Sequence, residues 1–209
     1  MVGWRVFTLT LIGSMLASPT LAQGRACAEP HYRWTEKTDT SLANLTPTPT
    51  SLTAILTGWE PPALTVRDRC AKRVGRELAV YSVTGWVRRI EKHKEDGDWH
   101  IELTDRRDSP PESCIVVEVP PANLSSRYAQ ARADLDAFLG GRTIAKDGDL
   151  ADPLQVRIIG AAFFDGQHRR RAHQREQIDG HGRCNSSVRA LWEIHPVYRV
   201  KKLDRRPLR

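Results

Sequence analysis

The chain has 209 residues, of which 40% are hydrophobic, and 32 Lys and Arg against 25 Asp and Glu give a formal charge of +7. Beyond the first 22 residues no stretch approaches the eighteen consecutive apolar residues of a spanning helix, which excludes such a helix in the remainder. The positive balance directs attention to acidic partners: nucleic acid, anionic glycans or lipid head groups.

Residues 1–22 read as a signal peptide. Arg5 supplies the positive start, Val6 to Ala17 an apolar run too short to span a bilayer, and Thr20-Leu21-Ala22 a small-x-small cleavage site. Export, to a periplasm or the medium, implies an oxidising compartment. All four cysteines lie beyond the cleavage site, and an even count there reads as two disulfides. Spacing alone leaves three pairings open, and no CxxC or CxxH pair supports a zinc site.

Residues 23–74 show no element. Thr35 to Thr57 is rich in Thr, Pro, Ser and Leu, and Trp59-Glu60-Pro61-Pro62 follows. This composition predicts a loosely docked N-terminal arm. The main domain is expected over 75–203, with a basic tail at 204–209.

Five strands are predicted. Leu78 to Ile90 is rich in β-branched and aromatic residues, and Gly85 within it suggests a bulge or bend. The Asp-Gly turn at Asp96-Gly97 leads into the strict alternation of Asp98 to Leu103, a half-buried second strand hairpinned to the first. Trp99, Ile101 and Leu103 point one way, and Asp98, His100 and Glu102 the other. Cys114 to Val119 is the third strand, stopped by Pro120-Pro121. A helix through about Phe138 follows, with Tyr128, Ala131, Leu135 and Phe138 at helical spacing, and Gly140-Gly141 ends it. Leu154 to Phe164 is the fourth strand and Leu191 to Val200 the fifth.

A hairpin, a third strand, a helix and two more strands match the five-stranded Greek-key barrel of the OB-fold; an open α+β sheet is the rival. In that barrel the third strand runs parallel to the fifth, so their starts meet and Cys114–Cys184 bridges them, leaving Cys27–Cys70 to pin the arm. The same alignment sets His100, Glu118 and His195 in a row across three adjacent strands on the outer face. Two imidazoles and a carboxylate suit a divalent metal with open positions, or acid–base work without one; the bland alternative is a hydrogen-bonded polar sheet face. Glu102, Glu193 and Asp165 are placed to orient the imidazoles. Asp165 and His168 reach the barrel rim, or merely build a turn there. Arg169, Arg170 and Arg171 open a basic loop of the kind OB-folds use to hold oligonucleotides and oligosaccharides, though the same run also reads as a solvated loop. No GxSxG, HExxH, P-loop or GxGxxG is present.

The segments Glu95-Asp96-Gly97-Asp98 with His100, Val117-Glu118-Val119-Pro120, Gly160 with Phe163-Phe164-Asp165 and His168, and Trp192-Glu193-Ile194-His195-Pro196-Val197 resemble a group of uncharacterised exported bacterial proteins. The resemblance covers roughly residues 78–200. It implies that these residues belong together and implies no reaction. After His168, where the group has a Gly-rich loop, this chain has arginines. The sequence therefore favours a binding module for a polyanion such as nucleic acid or an anionic glycan; the alternative is a metal-dependent hydrolase of a phosphoester or glycan using His100, Glu118 and His195.

Overall fold

The computed structural model describes residues 27–92, 94–169 and 180–203. The expected signal peptide, the basic tail, Arg170 and Arg171 lie outside them. The N-terminal segment holds α1 (Trp34–Lys37), β1 (Thr48–Thr50) and α2 (Leu52–Gly58). Then come β2 (Val80–Glu91), β3 (Trp99–Thr104), β4 (Cys114–Val119), α3 (Ser126–Leu139), β5 (Asp149–Phe164) and β6 (Trp192–Lys202).

The strands form one mixed six-stranded sheet in the order β1-β2-β3-β4-β6-β5. β2 also pairs antiparallel with β5, from Val80 against Ala161 to Arg89 against Asp149, so five strands make a closed ring. That pairing removes the open-edged sheet as an alternative. The irregularity in β2 falls between Val87 and Arg89, not at Gly85 where it was expected. Gly85 serves close approach instead: a Cβ there would lie 2.9 Å from the Thr104 carbonyl oxygen and 3.1 Å from the Leu52 side chain.

The core follows the alternation. Ile101 and Leu103 of β3, Ile115, Val117 and Val119 of β4, and Ile194 of β6 are fully buried among Val83, Val87, Val156 and Ile158. α3 is capped by Ser125, whose side chain accepts from the Arg127 amide, and ends on Gly140 in the left-handed region. It buries Tyr128, Ala131 and Leu135 as its periodicity predicts, and Leu139 in place of Phe138.

The N-terminal segment departs from the expectation of a stretch without elements. Leu52, Ile55 and Trp59 join the main core, and β1 pairs in parallel with β2, Thr48 against Tyr81. β4 is buried on both faces, and Leu56 of α2 packs against the cluster that holds Cys114 and Val116. Both disulfides form as expected: Cys27–Cys70 closes the segment on itself, and Cys114–Cys184 joins the start of β4 to the loop before β6. No helix among the described residues is long and apolar enough to cross a membrane.

Candidate functional site

The register of three strands assembles the site. β3 and β4 pair His100 with Glu118, and the parallel pair Val117–Ile194 sets Glu118 beside His195. His100 Nδ1 lies 2.9 Å from Glu118 Oε1, and His195 Nδ1 lies 3.0 Å from Glu118 Oε2. One carboxylate thus links two imidazoles, and the row expected from period-2 alternation is present.

Its surroundings differ from the expectation of a solvent-facing sheet. His100 and His195 are fully buried, and Glu118 is 4% exposed. The N-terminal segment roofs them. Lys37 Nζ sits 3.3 Å from Asp165 Oδ2 and 3.9 Å from Glu118 Oε2. Arg73 donates to the His195 carbonyl oxygen at 2.8 Å, and Arg33 forks onto Glu77 at 2.7 and 2.9 Å. Three cations, Arg33, Lys37 and Arg73, gather round the Phe163 ring.

Three residues of the site were not singled out from the sequence. Asp98, on the same face as His100, lies 3.2 Å from His195 Nε2, off the line of a good hydrogen bond. His181, in the loop before β6, places Nδ1 2.6 Å from Glu193 Oε1 and stacks on His168 with ring centroids 4.1 Å apart. Lys37 comes from the segment read as a loose arm. Asp98 was recoverable from the alternation that picked His100. His181 had one clue, its place three residues before the bridged Cys184. Lys37 had none.

The other expected residues divide. Asp165 does build a turn, accepting from the Gln167 amide through Oδ1, while Oδ2 faces Lys37 and His168 Nε2, the latter at 3.8 Å. Arg169 is not presented to a ligand: its guanidinium donates to the Pro62 carbonyl at 2.6 Å and lies over the Phe164 ring. Glu102 is held by Arg89 and Arg183, each 3.1 Å distant, with its Oε1 4.0 Å from His100 Nε2.

Electrostatics follow from burial working against close partners. Burial pushes Glu118 up, but His100, His195 and Lys37 win and hold it well below the carboxylate range. Glu193, pushed up by burial and Glu118, is held down at about 2 by His181 and His195. Burial pulls Lys37 down, yet Asp165 and then Glu118 raise it above its ordinary value. Burial also opposes the charge on His195 and His181; Asp98 foremost raises the first well above the ordinary value, and Glu193 raises the second. His168 is lowered by burial and by His181.

A pocket of about 340 Å³ opens onto this network. Glu118, Asp165, His168, His181 and Lys37 line its inner part, while His31, Arg69, Lys94 and Asp96 lie around it. Two sets of ligand-type atoms meet there, each within 4.8 Å: His100, Glu118 and His181, and Asp165, His168 and His181. A third, Asp98, Glu118 and His195, is buried behind them.

No family model matches the chain, and no curated protein matches it. Among solved structures, an OBody bound to hen egg-white lysozyme is similar over 60% of this chain and 82% of that one, at 14% identity and a TM-score of 0.30. A likeness that low carries no weight for fold or function.

Proposed function

We propose that the chain is an exported metal-dependent hydrolase of a phosphoester or anionic glycan, built on an OB-type Greek-key barrel. The barrel reading is supported by the five-strand ring, with α3 lying between the third and fourth of its strands in sequence. Export is supported by two disulfides, bonds that persist in oxidising compartments.

One observation carries the catalytic reading. Four of the seven histidines cluster with Asp98, Glu118, Asp165 and Glu193, and of these His168, His181, Glu118 and Asp165 line a pocket. Perturbed titratable groups beneath a concave, polar opening mark functional sites more than structural ones. A bound divalent ion would supply the chemistry by making a nucleophile of water at neutral pH. The chain's own groups would do the rest: Lys37 offers a fixed positive charge to an anionic substrate, and Arg69 and Lys94 add two cations to a wall that also carries Glu95 and Asp96.

The purified disulfide-bonded protein should cleave a phosphodiester or an anionic oligosaccharide with zinc or manganese added, and stop with a chelator. No turnover of either class with any divalent ion would remove this reading.

A second reading, a binding module for a polyanion, is favoured by the positive groups lining the pocket, Lys37, Arg69 and Lys94. It predicts affinity for oligonucleotide or anionic glycan that falls steeply with salt, without turnover.

A further inference from the structure

We propose that the metal of this site is a zinc-type divalent ion held by Asp165, His168 and His181, with Glu193 orienting His181 from behind; the inference rests on the hydrolase reading and moves its metal away from His100 and His195. Three features of the structure select this set.

The first is accessibility. His100 and His195 are fully buried, whereas His168 is partly exposed and Asp165, His168 and His181 all line the pocket. An ion reaching Asp165, His168 and His181 keeps open positions toward the pocket, as a catalytic zinc requires.

The second is the support behind the ligand. His181 Nδ1 is engaged by Glu193 Oε1 at 2.6 Å, which leaves Nε2 as its remaining donor. A carboxylate on the far nitrogen of an imidazole is the usual brace of a metal-binding histidine, fixing tautomer and ring direction. By contrast, His195 Nδ1 is contested by Glu118 and Glu193, and its Nε2, 3.2 Å from Asp98 without a hydrogen bond, is fully buried and does not line the pocket. An ion held there would have no open position toward the pocket.

The third is charge. Glu118 and Asp165 share one buried ammonium, Lys37, while Glu193 is met by His181 and His195; the nearby Glu102 is separately matched by Arg89 and Arg183. Buried charge is tolerated only when paired. A divalent ion beside Asp165 adds positive charge at the pocket end of the network; to share it with His181, the partly exposed His168 ring turns out of its nearly parallel stack, so that both nitrogens point at the ion. Lys37, 3.3 Å from Asp165 Oδ2, shares that oxygen with the ion and competes for it.

The test is titration of chelator-treated, disulfide-bonded protein with zinc alone and manganese alone, followed by calorimetry, with circular dichroism confirming the fold of each variant. Wild type should bind one ion. His168→Ala, whose side chain is partly exposed, and His181→Gln should each weaken binding at least about tenfold, and Glu193→Gln about tenfold or more, the usual effect of removing a ligand's brace. Lys37→Met should tighten binding, a change of sign that loss of structural support would not produce. His31→Ala, at the pocket wall, should change nothing. The proposal falls if wild type binds no ion, or if His168→Ala and His181→Gln bind as wild type does. Loss of binding in His100→Ala or His195→Gln, with His168→Ala unaffected, overturns this ligand set but leaves the hydrolase reading standing. Binding lost as proposed, with no turnover of any phosphoester or glycan, keeps the ligand set and removes the hydrolase.

Discussion

His195 is the residue whose charge state most tightly couples the site to the fold. Asp98, Glu118 and Glu193 all lie within 3.3 Å of its nitrogens, and they hold its protonated form well above the ordinary value of 6.5. A group raised in the fold stabilises fully below its unfolded value and loses that contribution as pH climbs through its folded one. Glu118 and Glu193 work the other way. Held below 4.5, they stabilise fully above it and lose their contribution as pH falls, for Glu193 toward about 2. Metal-free protein should therefore gain most from this cluster between about pH 4.5 and 6.5. Urea melts of chelator-treated wild type should show stability declining above pH 6.5, and His195→Gln should flatten that decline. An unchanged slope in the variant would show that His195 is not protonated in the fold.

At the scale of elements, the N-terminal segment is the main surprise, and α2 tests it. Ile55 is fully buried, and Leu52 is 1% exposed. Ile55→Ala should cost about 2–5 kcal/mol, the range for emptying a packed aliphatic site. A loss near zero in denaturant melts would mean that the segment only rests on the domain. The five strands of the ring were legible because each has one or two faces with a clear period, and β4 has the predicted boundaries, Cys114–Val119, whereas β1 was not read. Their register was legible too, since sliding by one residue would have turned Ile101 and Leu103 outward. α2 was not read, although Leu52, Ile55, Leu56 and Trp59 stand at helical spacing behind Ser51, whose hydroxyl accepts from the Ala54 amide. Seven residues are too few for that pattern to stand out from a Thr- and Pro-rich background. α1 carries no such pattern: its residues are ordered by tertiary pairs, Arg33 with Glu77 and Lys37 with Asp165, which no local period encodes. The same holds for His181, fixed by Glu193 and the neighbouring disulfide and not by its own segment.

Across the whole molecule, the ring of strands sets out a row of acid and base groups, and the N-terminal segment turns that row from a surface into the floor of a pocket. Without Lys37 and its neighbours, His100, Glu118 and His195 would be the solvated sheet face that alternation alone suggests. With them, water is excluded from the inner carboxylates, each charge must find a partner, and the opening narrows to the side where Asp165, His168 and His181 stand. Around the opening Arg69 and Lys94 stand with Glu95 and Asp96, so charges of both signs meet a substrate above a buried cluster that is itself acidic. That combination is coherent if a divalent ion sits between cluster and substrate. The most direct measurement is anomalous X-ray scattering at the zinc edge from crystals of the disulfide-bonded protein soaked in zinc. The account predicts a peak in the pocket within bonding distance of Asp165, His168 and His181. No peak there, or peaks confined to the outer surface, would contradict it.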